Sequence, residues 1–261
     1  MGWLSWLLPR PPLIAQHEFD AAVARLPILT GLNTRELARL RSSASHFIHT
    51  KRFTAAGGAE INRSAQLAIA LQACLLILNL DEHSYRGWRE IVLYPDAFVR
   101  PQQEIDEAGV VHYSREVLSG ESWHGGPLVL SMDEALAGGQ GNGHNVVVHE
   151  FAHKLDMLNG IADGFPPLHR GMDSVSWEHD FSTAYADFQK RVDRGEATAI
   201  DPYAATQPAE FFAVLSEVFF ETPAVLQQEY PQVYSQMQQF YRQDPLSRRP
   251  DSYPADRDPT R

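Results

Sequence analysis

The chain has 261 residues, 44% of them hydrophobic and 21% charged, an ordinary globular make-up that excludes wholesale disorder. Lys and Arg number 22 against 33 Asp and Glu, a formal net charge of −11. That balance argues against a phosphate-backbone binder, which needs clustered cations, so no direct nucleic-acid partner is expected. Residues 1–56 run the other way, with 7 Lys and Arg to 3 Asp and Glu; this is too dilute for a nucleic-acid patch but compatible with a protein partner.

Residues 1–16 read as an N-terminal extension. The opening Met1–Arg10 is apolar but has neither a basic n-region nor a small-residue cleavage site, so it is not expected to be a signal peptide. Helical spacing is predicted over His17–Leu26 and Thr34–His49, the second capped by Asn33 or Thr34. Residues 63–80 form the longest apolar run, broken by Gln72 and Asn79. The run is short of the ~20 residues a membrane span needs, so it reads as a buried helix and no membrane partner is expected. Cys74, the only cysteine, lies within it and reads as a small core residue rather than a nucleophile. With no second cysteine an intramolecular disulfide is impossible, which suits a reducing, cytoplasmic compartment.

The character changes at residue 88. Trp88–Tyr94, Gly109–Ser114 and Gly126–Met132 read as short strands separated by glycine breaks. The loop Gly138-Gly-Gln-Gly-Asn-Gly143 resembles part of a dinucleotide fingerprint, but position 144 is His and no strand leads into it. It reads as a connection ending in a helix cap at Asn142 or Asn145, and its glycine content makes it a candidate gate. Helices are predicted over 144–158 and near 176–194, 207–221 and 230–242. The tail 245–261, with four prolines, four arginines and three aspartates, is expected to be disordered. Helices, a small sheet, then helices make an α+β fold with one domain over 17–244, divided into a helical part, 17–87, and a second part, 88–244.

The sharpest chemical signal is His149-Glu150-Phe151-Ala152-His153. On a helix, residues i and i+4 share a face about 6 Å apart, so both imidazoles can reach one metal ion. Glu150 projects beside that face and can take a proton from water activated by the ion, a division of labour that suits a hydrolase. Composition yields this pattern by chance in roughly 3% of such chains. The alternative is a pair of hydrogen-bonded core histidines; the apolar surroundings Val146-Val-Val148 and Phe151 make a buried His pair with a Glu costly unless satisfied. Two histidines leave zinc short of a ligand. Asn159 excludes the compact motif with a third ligand ten residues after His149, so the third must come from farther on. Carboxylates within Asp201–Glu217 are the candidates. Glu210 and Glu217, seven apart, share a face of an apolar helix that Pro208 opens. Asp156, on the same face as His149 and His153, is a candidate to accept a ring N–H, as is Glu217; the competing readings are a surface aspartate and the end of an apolar stripe. His144 is off the i+4 register, and His169 and His179 sit in loop-like or charged contexts, so none reads as a ligand.

The segments His149-Glu-Phe-Ala-His-Lys-Leu-Asp156, Trp177-Glu-His-Asp180 and Pro208-Ala-Glu-Phe-Phe-Ala-Val-Leu-Ser-Glu217 together resemble the Mlc titration factor A family. Tyr-Pro at 94–95 and Gln-Asp-Pro-Leu at 243–246 extend the likeness from about residue 20 to 247. These are bacterial cytosolic zinc metallopeptidases of the gluzincin type, related in catalytic core to anthrax lethal factor. The resemblance implies a mostly helical, zincin-like metallopeptidase with a small mixed sheet, its catalytic core over 88–244. It implies one Zn²⁺ per chain held by His149, His153 and Glu210, with Glu150 as base and Tyr203, seven residues before Glu210, as donor to the oxyanion. It implies aminopeptidase action on short peptides, and binding of Mlc, a DNA-binding repressor of glucose-uptake genes, so that repression is relieved by sequestration. An extended peptide substrate is expected along a sheet edge, for which strand 126–132 is the candidate. The competing function is a non-catalytic repressor-binding protein whose zinc site is structural or vestigial.

Overall fold

The computed structural model describes residues 11–105, 111–118, 120–122 and 125–248. Met1–Arg10, Gly109, Val110 and residues 249–261 therefore lie outside the described residues. In the N-terminal half, α1 (Gln16–Val23) is followed by α2 (Thr34–Thr50) and α3 (Arg63–Leu76). A reciprocal cap starts α2: the Asn33 side chain accepts the Arg35 and Glu36 N–H groups, and the Glu36 carboxylate takes the Asn33 N–H. Residues 67–76 of α3 are buried almost without exception, as expected of a helix that is apolar on all sides. It stops at Leu76 rather than 80, and the Asn79 side chain donates instead to the carbonyl of Arg242. Cys74 is buried inside it. Ile14, in the expected N-terminal extension, is buried, and its N–H donates to the Ser45 hydroxyl.

The described residues form six strands, β1 (Arg52–Ala55) between α2 and α3, then β2 (Glu90–Tyr94), β3 (Phe98–Ile105), β4 (Val111–Leu118), β5 (Gly120–Ser122) and β6 (Leu128–Ser131). β1, β2 and β6 are parallel neighbours, and β5 joins β6 antiparallel, giving a small mixed sheet in the order β1-β2-β6-β5. β3 and β4 form a separate antiparallel pair. The strand expected to be the free edge is not one. All four residues of β6 are buried, and β5 pairs along it with Gly120 opposite Leu130 and Ser122 opposite Leu128. A three-residue strand that begins with glycine offers no alternation to read, so the outer strand went unseen in the sequence.

The C-terminal half is helical: α4 (Met132–Ala137), α5 (Val146–Asp156), α6 (Ser174–Asp193), α7 (Pro208–Glu221), α8 (Pro223–Glu229) and α9 (Pro231–Tyr241). The last three each begin with proline, and Thr222 and Tyr230, before two of those prolines, leave the helical region. Every residue of α7 after Pro208 is buried. Trp177 and Phe181 of α6 stack at 4.2 Å and meet Phe212 of α7, while Phe240 of α9 packs on Trp177. Part of the expected disordered tail is ordered. Residues 245–248 form a turn in which Leu246 packs on the core and Arg248 pairs with Glu36 at 3.5 Å. Among the described residues, no helix is long and apolar enough to cross a membrane.

Candidate metal centre

Helix α5 starts where Asn145, the second of the two predicted caps, accepts the Val148 N–H at 3.0 Å. His149 and His153 project from one face of α5 toward α7, which packs against it. Along α7 three glutamates, at 210, 217 and 221, repeat at intervals of seven and four and so line one face of an otherwise apolar helix. Each carboxylate has a separate task. Glu210, in the first turn behind Pro208, sits where the helix dipole favours an anion. Its Oε2 lies 2.9 Å from His149 Nε2 and 3.3 Å from His153 Nε2, and its other oxygen accepts the Gln207 amide at 3.2 Å. Glu217 accepts the Nδ1–H of His149 at 2.7 Å and the backbone N–H of Asn145. Glu221 accepts the N–H groups of Gly139 and Gly141 and the Asn145 side-chain amide. The glycine loop, a candidate gate, is thereby anchored to α7.

Charge and burial follow this arrangement. Burial disfavours charge on His149, but hydrogen bonds to Glu210 and Glu217 outweigh it and raise the ring's pKa well above the usual value. Burial likewise pushes Glu210 and Glu217 up, and their histidine partners overcome it, holding both below the usual carboxylate range. Glu150 is 4% exposed, and burial raises its pKa against the opposing pull of His149 and His153. It sits under β5, where a Cβ on Gly120 would stand 2.5 Å from one of its carboxylate oxygens, so only glycine lets the outer strand approach so closely. The other oxygen, Oε2, is buried without a hydrogen-bond partner among the described residues. A buried carboxylate with one oxygen left without a hydrogen-bond partner among the described residues, beside two histidines, is suited to take a proton.

The three atoms His149 Nε2, His153 Nε2 and a Glu210 oxygen fit a metal ion. Ligands about 2.1 Å from a tetrahedral ion stand about 3.4 Å apart, close to the observed 2.9 and 3.3 Å. Two imidazoles and one carboxylate are the donor set of many catalytic zinc sites. Glu217, by taking Nδ1–H, leaves Nε2 of His149 to face the ion. The other residues singled out in the sequence are placed as follows. Tyr203 lies in a single 3-10 turn, Pro202–Ala205, capped by Asp201, with its ring 6.2 Å from that of His149 and 42% of its surface exposed. Asp156 does not reach a ligand ring: it accepts the Gly164 N–H at 2.8 Å, and burial lifts its pKa to about 6. His153 Nδ1 has no hydrogen-bond partner among the described residues. His144, set aside as a surface residue, is exposed yet touches Glu217 at 3.3 Å. His169 bonds the Phe240 carbonyl and His179 is exposed on α6, and neither belongs to the converging group. Sequence reasoning missed Gln207, Glu221 and Gly120. Glu221 was detectable as the next step of the 210–217 stripe; Gly120 carries no signal before the fold is known.

A model of the glucose-regulated metallo-peptidase M90 family matches residues 6–242. The chain belongs to that family. Among its relatives, Mlc titration factor A of Salmonella agona is 42% identical over 243 residues, 90% of each chain. Its counterpart in Salmonella arizonae is 42% identical over 235 residues, 88% of this chain and 92% of that one. That of Salmonella typhi is 42% identical over 243 residues, 90% of each. Membership in a metallopeptidase family implies a metal, and His149, His153 and Glu210 are the group of potential ligands that converges among the described residues.

Proposed function

We propose that this protein is a zinc-dependent peptidase, an aminopeptidase acting on short peptides, with His149, His153 and Glu210 holding one Zn²⁺ per chain. The observation that carries the reading is the convergence of both Nε2 atoms on one Glu210 oxygen, with the buried Glu150 beside them. When bound, zinc supplies Lewis-acid polarisation of the substrate carbonyl and acidifies water. Glu150 takes the proton of the attacking water and passes it to the leaving amine. Tyr203, beside His149, donates to the developing oxyanion. Glu217 holds the His149 ring in place through Nδ1. An extended peptide pairs with β5, the outer strand of the sheet, directly over Glu150. One domain over 17–244 carries this chemistry in the cytoplasm. Likeness to the Salmonella proteins, named for titrating Mlc, extends the reading: the chain also binds an Mlc-type repressor.

Glu150→Gln tests the catalytic half against a purely sequestering role. The variant is expected to keep its zinc and its repressor binding, and to lose about a hundredfold or more in cleavage of aminoacyl chromogenic amides. Cleavage at near wild-type rate would overturn the mechanism. No cleavage by either protein, with repressor binding intact, would leave the sequestering role alone. Substrates with free and blocked N-termini, compared in the same assay, decide between amino- and endopeptidase action.

A further inference from the structure

Across α5 from the metal centre lies a half-open cavity of about 820 Å³, within the size range of small-molecule sites. None of the residues assigned to the metal centre lines it. Its walls include Phe47, Tyr85 and Trp88, the same rings against which Phe151 of α5 packs. Within it sits Lys51, only 9% exposed. The Lys51 ammonium donates to the carbonyls of Tyr85 and Trp88, at 2.5 and 2.8 Å, and lies 3.4 Å from the centre of the Trp88 ring. No carboxylate pairs with it among the described residues. Arg86 and Arg89, both exposed, flank the mouth and also make no ion pair among the described residues. The acidic side chain that lines the cavity, Glu90, is engaged by the Thr54 hydroxyl at 2.9 Å.

A buried ammonium is costly unless a negative charge compensates it, and carbonyl dipoles and a ring face supply only part of that. Burial, and then the neighbouring Lys154, lower the pKa of Lys51 to about 7, as expected of a cation that nothing nearby neutralises. The cavity therefore combines aromatic walls, one buried cation and two guanidinium groups at its entrance against a single carboxylate, Glu90, which is turned to Thr54 and forms no ion pair with Lys51 among the described residues. We propose that it binds a small organic anion, a carboxylate or phosphate ester on a ring or other apolar body. The charged group would meet Lys51 and the mouth arginines, and the body would lie against Phe47 and Tyr85.

Calorimetry on the zinc-loaded full chain tests this, with benzoate and phenyl phosphate as probes and neutral benzamide as the control. At least one anion is expected to bind with millimolar or better affinity, about tenfold or more tighter than benzamide. Benzoate against phenyl phosphate identifies the preferred head group. Lys51→Met is expected to weaken that binding about tenfold or more, and the double variant Arg86→Gln, Arg89→Gln several-fold. Glu210→Ala, at the other face of α5, is expected to leave it unchanged, which separates this site from direct contact with the metal centre. The proposal is overturned if neither anion outbinds benzamide, or if binding survives Lys51→Met and disappears in Glu210→Ala. Should Lys51→Met fail to fold, the double variant decides, because both arginines are exposed: unchanged affinity there overturns the proposal.

Discussion

The two faces of α5 bury opposite charge. Toward α7 the helix presents His149 and His153 to a row of glutamates, with Glu150 beside them under β5, so negative groups outnumber positive ones unless a cation enters. On the other side, Lys154 and Lys51 both lie on the ring of Trp88, at 4.9 and 3.4 Å, and burial pushes both ammonium groups down, Lys154 to about 8 and Lys51 to about 7. A single helix of 11 residues thus separates a face rich in carboxylates from one that carries two buried lysines. The contrast identifies what each region takes. Buried charge is tolerated only when compensated, so the first region suits a metal cation, and Lys51, with no carboxylate paired to it among the described residues, suits an anion. Buried polarity here is specific in sign.

The contrast can be broken most severely at Glu210. Glu210→Ala removes the carboxylate on which both Nε2 atoms converge, and zinc affinity is expected to fall by more than the roughly 10–100-fold that loss of an outer partner costs. Elemental analysis of purified wild type and variant reads the loss directly. Full zinc retention would move the third ligand to another carboxylate, Glu217 first. A smaller effect is expected from Glu217→Gln, which keeps an acceptor for His149 Nδ1 but removes its charge; zinc affinity should fall by roughly 10–100-fold with the fold intact. Competition against a chromogenic chelator measures this. Unchanged affinity would reduce Glu217 to a cap for the start of α5 through Asn145.

The metal-facing side of this contrast was legible in the sequence and the opposite side was not. His149, His153 and Glu150 lie on adjacent turns of one helix, so local spacing suffices to group them. Glu210 lies 61 residues from His149; Pro208 and the apolar residues around it narrowed the third ligand to Glu210 or Glu217, and the family resemblance chose Glu210. Asp156 looked equivalent to Glu217 on spacing alone, yet its carboxylate turns to the Gly164 N–H, a contact set by the loop that follows α5. The outer strand was hidden because Gly120–Ser122 is too short to alternate, and α8 because a seven-residue helix between two prolines resembles a turn. The cationic cavity is assembled from α2, α3, the segment leading into β2 and the turn before β6, so no window of sequence contains it. Its one local mark is Lys51 at the end of α2, which reads as an ordinary surface lysine.

Asp156 offers the mildest test, because it is a buried carboxylate that forms no ion pair among the described residues. Its pKa is about 6 in the folded chain against about 3.9 in an unfolded one, with burial the main cause and the Gly164 N–H opposing it. The folded state therefore binds this proton more tightly. Stability is greatest at and below pH 4, falls as pH rises through the window from about 4 to 6, and stays lower above it, by up to about 3 kcal/mol from this group alone. Asp156→Asn keeps an acceptor for Gly164 and cannot ionise, so it should remove that part of the slope. Urea denaturation of both proteins from pH 4 to 8 gives the difference, in which all other titrating groups cancel. The variant should gain on wild type by about 1–3 kcal/mol across the window, whatever constant offset the new amide introduces. Parallel curves would mean that Asp156 is ionised in the folded chain, and that the ligand-bearing helix draws on a positive charge near His153.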